Sequence, residues 1–245
     1  MTTTPPPRRN WHLNRYLLVL ANAVPGWNGP RTHAVRSAIL KAEALGWSVY
    51  YTNPVKEIRK NWKAVFKKET WQDRVTTVWI PTGEAFEQNV SIVLRLNPKW
   101  LGIDNAATLR DLSALNNLSG LLGFRLNGCT GGLANVDALA NLYALQDVYL
   151  AECTGLTNVD GLKNLSALQT VYLPGCTGLT NVDALKSLSA LKEVTLSRCT
   201  ALKSVDSLAS LPALQSVWLG GCTGLTPETD AALKAALPKT KIIGP

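Results

Sequence analysis

The stretch Leu145-Gln-Asp-Val-Tyr-Leu-Ala-Glu-Cys153-Thr-Gly-Leu-Thr-Asn-Val-Asp160-Gly-Leu-Lys-Asn-Leu-Ser-Ala167 is followed by two near copies of itself, Leu168–Ala190 and Leu191–Ala213. All three obey L-x-x-V-x-L-x-x-C-T-x-L-x-x-V-D-x-L-x-x-L-x-A. Leu121–Ala144 fits with one extra residue near Gly131-Gly132, and Leu214–Leu225 fits before diverging. The cysteines Cys129, Cys153, Cys176, Cys199 and Cys222 mark the period, with spacings of 24, 23, 23 and 23 residues. A fixed period of this size is the signature of a stacked repeat architecture.

Each part of the template has a physical reading. Leu145, Val148 and Leu150 alternate with polar or exposed positions, which predicts a short half-buried strand. Gly128, Gly175 and Gly221, and the Thr-Gly after most cysteines, supply turns. Asp137, Asp160, Asp183 and Asp206 precede Leu-x-x-Leu segments and are placed to cap short helical turns. One coil cannot bury its own leucines; stacked coils bury them as a continuous ladder, with the strands side by side in a parallel sheet.

The template resembles the leucine-rich repeat family, whose signature is L-x-x-L-x-L-x-x-N/C-x-L. Cysteine at the ladder position is similar to cysteine-containing repeats and those of plant resistance proteins. Leu179-Thr-Asn-Val-Asp-Ala-Leu185 is similar to internalin-type bacterial repeats. Two residues rather than one separate the ladder cysteine from the next leucine. The resemblance covers about residues 90–245. It implies an α/β fold, a right-handed solenoid with the sheet on its concave side, and a non-enzymatic module that binds a protein partner.

Both ends of the solenoid need covering. Thr226-Pro227-Glu228 opens a predicted C-terminal helix running to about Leu237, followed by a strand at Lys241–Ile243. At the other end, Ser91–Leu96 carries the strand pattern without a cysteine and reads as a degenerate first coil. Leu109–Leu118 reads as its helical return.

Composition shifts near residue 90. Residues 1–100 hold 15 Lys/Arg against 6 Asp/Glu, and residues 101–245 hold 10 against 11, so the net charge of +8 is concentrated at the N-terminal side. Three segments follow: a polar, Pro-rich tail at 1–10, a basic, Trp-rich α/β capping module at 11–90, and the solenoid at 91–245. In the module, residues 31–45 and 55–72 read as helices, and Trp47–Thr52 and Arg74–Ile80 as strands. No G-x-G-x-x-G or G-K-[ST] accompanies them, which argues against a nucleotide site. Lys56, Lys60, Lys63 and Lys67 share one helix face. They are either a solvated face or a contact for nucleic acid or another anionic surface.

Five cysteines at one repeat position are neither a close-paired zinc site nor an even-numbered disulfide framework. The two histidines, His12 and His33, lie far from them in sequence, so no catalytic thiol is expected. The cysteines read as a structural ladder of buried thiols. No paired catalytic carboxylates or metal cluster appear, and no cofactor is expected. The absence of a long apolar run, and an N-terminus unlike a secretory signal, predict a cytoplasmic chain without a membrane span.

The candidate binding residues are read from the strands. Parallel stacking places the fifth template positions in one column: Arg95, Arg125, Tyr149, Tyr172, Thr195 and Trp218. A flanking column of second positions contains Leu122, Gln146, Gln169, Lys192 and Gln215. Tyr, Trp and Arg exposed in a row are the residue types that dominate binding hot spots.

Overall fold

In the computed structural model the structure describes residues 30–51 and 75–244. Among the described residues a nine-stranded sheet runs in sequence order through β1 (Ser48–Tyr51), β2 (Val75–Ile80), β3 (Trp100–Ile103), β4 (Gly123–Asn127), β5 (Asp147–Ala151), β6 (Thr170–Tyr172), β7 (Glu193–Thr195), β8 (Ser216–Trp218) and β9 (Lys241–Ile243). β1 pairs antiparallel with β2, and every later pairing is parallel. With one strand per coil, the template's Leu, Val and Cys positions superpose from coil to coil. Val148, Val171, Val194 and Val217 form one buried column, and Leu150, Leu173, Leu196 and Leu219 the next. Opposite the sheet, 3₁₀ turns at 113–117, 137–139, 160–162, 183–187 and 206–210 stack as the second wall, and the leucines fill the space between. This is the architecture of a leucine-rich repeat solenoid.

The four aspartates begin their 3₁₀ turns but do not cap them. Asn135, Asn158 and Asn181 accept hydrogen bonds from the backbone N–H groups of Asp137, Asp160 and Asp183 at 3.2, 3.2 and 3.3 Å, and Ser204 does the same for Asp206 at 3.0 Å. A side-chain oxygen two residues ahead mimics a backbone turn and takes the orphan donor itself. The expected capping role therefore belongs to the residue two places earlier.

The ladder position carries the predicted buried, free thiols. Cys176, Cys199 and Cys222 each donate to the carbonyl at template position six of the preceding coil: Leu150 at 3.0 Å, Leu173 at 3.1 Å and Leu196 at 2.9 Å. Cys129 donates instead to Leu109 at 3.1 Å. The thiol thus meets a buried acceptor beyond the end of the short strand ladder, where an unpaired carbonyl would be costly.

Two terminal features bear on the sheet. At the C-terminus, Thr226 caps the helix Pro227–Ala236 by accepting from Thr229, and β9 closes on β8. At the N-terminal side, α1 (Pro30–Ala44) precedes β1, and two short helices, α2 (Gly83–Gln88) and α3 (Val90–Leu96), lie between β2 and β3. Segment 91–96, expected as a strand, is therefore helical. Ile92, Val93 and Leu96 are buried at helical spacing, α1 packs on α3, and Asn97 ends it in the left-handed conformation at φ 42°. The strand of that coil begins only at Trp100. The sheet also continues across residue 90, since β2 pairs directly with β3.

Candidate functional site

The open face of the sheet is set by strand alternation. Template positions three and five both point away from the leucine core. The register gives the position-five column as Trp79, Gly102, Arg125, Tyr149, Tyr172, Thr195, Trp218 and Ile243. Arg125, Tyr149, Tyr172 and Trp218 therefore do align. Arg95 does not: it lies in the last turn of α3, and Gly102 holds the place assigned to it. The physical reason is the helical burial of Ile92, Val93 and Leu96, which moves the strand downstream.

Position three gives a second column that the sequence reading passed over: Thr77, Trp100, Gly123, Asp147, Thr170, Glu193, Ser216 and Lys241. Period-two alternation was the signal, because position three lies two residues before the selected position five. The predicted second-position residues Gln146, Gln169, Lys192 and Gln215 stand one residue ahead of their strands. Their backbones continue the ladder, as in Gln169 N–H to Gln146 carbonyl at 2.7 Å. Lys192 Nζ donates to Gln169 Oε1 at 2.8 Å.

The aromatic side chains connect across coils. Trp100 lies 6.2 Å from Tyr149 between ring centroids, and Tyr149 lies 5.7 Å from Tyr172. Arg125 sits over the Trp79 ring at 5.2 Å and 3.9 Å from Asp104, while Lys241 sits over Trp218 at 5.2 Å. Tyr172 and Trp218 are each 39% exposed, unusual for large apolar groups. Burial raises the Tyr149 phenol above its ordinary range; Asp147 and Glu193 reinforce the shift and Arg125 opposes it. The acids of position three are thus felt across the face.

Lys56, Lys60, Lys63 and Lys67 lie outside the described residues. Among the described residues no group of His, Cys, Asp and Glu could hold a metal ion, and no helix is long and apolar enough to cross a membrane.

No protein-family profile matches the sequence, and no curated protein matches it. Among solved structures, the chain is similar to the leucine-rich repeat domain of the type III effector XopL, at 16% identity over 97% of this chain and 90% of that one, with a TM-score of 0.47. It is also similar to internalin C2 of Listeria monocytogenes, at 19% identity over 76% of this chain and 92% of that one, with a TM-score of 0.37. A third is the ectodomain of the receptor kinase GASSHO1/SCHENGEN3 from Arabidopsis thaliana, solved with Casparian strip integrity factor 2. It shares 15% identity over 77% of this chain and 29% of that one, with a TM-score of 0.43.

Proposed function

We propose that this chain is a non-enzymatic interaction module that binds a protein partner on the open, concave face of its repeat sheet. The observation that carries the reading is the set of aromatic and Arg side chains Arg125, Tyr149, Tyr172 and Trp218 in one outward column, broken only by Thr195 between the last two, with two of the rings well exposed. Folding does not require them there, since Thr195 occupies the same position one coil before Trp218. Large rings with a polar edge supply contact area at low entropic cost, and such residues account for most of the energy of typical interfaces.

The test is a pull-down from host extract followed by calorimetry with the captured protein. Replacing Tyr149, Tyr172 and Trp218 singly by alanine is expected to weaken binding by about 1–3 kcal/mol each. The triple variant should keep its cooperative melting. Undiminished affinity of the triple variant would remove this face as the contact.

A further inference from the structure

On the open face β7 lies between β6 and β8 and carries a small outward residue. The register Tyr172↔Thr195↔Trp218 places the two most exposed rings of the column on either side of a small residue. Strands in a sheet lie about 4.8 Å apart, so the two ring-bearing positions are separated by roughly 9.6 Å. Glu193 stands on the same strand as Thr195, two residues earlier and on the same face, at roughly 6–7 Å along the strand. It is exposed and forms no ion pair among the described residues.

We propose that Tyr172, Trp218 and Glu193 form a recognition slot for a cationic side chain, specifically an arginine projecting from an extended basic segment of the partner protein. The inference rests on the reading of this face as the binding surface and adds the chemistry of what it selects. A cation held over Thr195 would stand one strand spacing, about 4.8 Å, from the backbone position of either ring, and a ring face attracts a cation within ~6 Å of its centroid. Glu193 supplies the opposite charge. Arginine suits the site because its planar guanidinium can stack on a ring and also pair with a carboxylate.

The charged outward residue on the slot's own strand is Glu193, which favours a basic occupant over an acidic one. The neighbouring cations keep their charge but have contacts of their own: Lys192 with Gln169, Lys241 over Trp218 from the β9 side, and Arg125 over Trp79 beside Asp104. Asp147 and Glu193, in contrast, form no ion pair among the described residues. Both act on Tyr149 as like charges that disfavour its ionisation. The same face already uses ring–cation contacts twice internally, each at 5.2 Å. Lys241 reaches the Trp218 ring from β9, and β7 flanks β8 on the other edge.

The test is a nuclear magnetic resonance titration of the full ¹⁵N-labelled chain with the peptide acetyl-Gly-Gly-Arg-Gly-Gly-amide. The control is the same peptide with citrulline for arginine, equal in shape and uncharged. The expected result is saturable shifts of the Trp218 indole and the Thr195 amide with the arginine peptide and not with citrulline. Glu193→Gln and Trp218→Ala should each weaken binding about five- to ten-fold. Thr195→Phe should abolish it by filling the slot while leaving the fold intact. Absence of saturable shifts, or equal binding of the citrulline peptide, overturns the proposal. Failure here with loss of the captured partner in the triple alanine variant would leave the face as a binding surface without this slot. Success here with an unaffected partner would refute the face reading and keep the slot.

Discussion

The coils at 145–213 and the coils at 75–120 present the same sheet to solvent but solve its packing differently. In the repeats every position is filled by the template, and each outward residue meets an equivalent neighbour one coil away. In the N-terminal coils the template fails, and fit is achieved by reciprocal substitutions. The ladder position passes from cysteine to Ala106 and Gly83; a Cβ on Gly83 would lie 3.1 Å from the Ala106 backbone and 3.2 Å from Leu109 Cβ. The outward position of β2 carries Trp79, and the facing position of β3 is Gly102, where a Cβ would lie 2.1 Å from the Trp79 ring. Trp100 and Gly123 repeat the arrangement one coil later and two residues earlier along the strand. Periodic packing tolerates uniform residues, whereas the end of a solenoid needs paired exceptions.

The largest test of the contrast is deletion. We propose that residues 11–90 act as a cap, so a chain beginning at residue 91 should lose its cooperative melting and aggregate. It would lack β2, leave Leu101 and Ile103 beside an unpaired sheet edge, and expose a ready site for association. Calorimetry with light scattering would check this; a soluble, cooperative fragment would make the repeats self-sufficient.

A local version of the same test is Gly102→Ala. The new methyl must displace the Trp79 ring, which in turn supports Arg125. A destabilisation of about 1–3 kcal/mol is expected, as for overpacking of a filled site. Trp79→Ala in the same chain should restore part of it. Additive losses would show that the glycine answers to something other than the ring.

How much of this was legible follows from the same contrast. Leu145, Val148, Leu150, Cys153, Leu156, Val159 and their equivalents are all buried, as the template requires, because three copies of one pattern fix strand, turn and core together. Segment 91–96 misled because Ile-Val-Leu-Arg-Leu satisfies a strand or a helix of two turns; only the packing of α1 decides it. The displaced strand carried Arg95 out of the column and brought Gly102 in. Trp79 and Trp100 were missed for a related reason: their partners are glycines roughly a coil away, and no repeat links them in sequence.

The cysteine ladder separates the regions by pH. Burial pushes the Cys199 and Cys222 thiols up, and hydrogen bonds donated to Cys129 and Cys176 together with burial push up Cys153. An unfolded thiol ionises near about pH 8.5 while the folded one stays protonated, so the stabilisation is complete below that pH and is lost as pH rises through it. Each raised thiol should add about 1.4 kcal/mol per pH unit to the alkaline loss. Urea unfolding at several pH values under reducing conditions should show Cys199→Ala removing about one such unit of slope. An unchanged slope would mean that the thiol ionises as readily in the fold as out of it.

The smallest effect concerns the residue before each ladder position from Ala106 onward, where the chain turns with positive φ: Asn105 at 43°, Gly128 at 65°, Glu152 at 57°, Gly175 at 73°, Arg198 at 62° and Gly221 at 78°. Glycine and non-glycine alternate. A Cβ on Gly175 would come within 3.3 Å of Glu152 Cγ, and one on Gly221 within 3.2 Å of Arg198 Cγ, so side chains on adjacent coils would crowd. Glu152 and Arg198 bear a left-handed conformation that costs a non-glycine residue roughly 1–2 kcal/mol, partly offset by the greater chain entropy glycine loses on folding. Glu152→Gly should therefore stabilise the protein slightly, by about 1 kcal/mol at most, and Gly175→Ala should destabilise it by a similar amount. The informative quantity is their coupling. If crowding sets the alternation, Gly175→Ala should cost less when residue 152 is already glycine, because the Cγ it would meet is gone. If backbone strain alone sets it, the two changes will add, since each residue then bears its own φ without reference to the coil beside it.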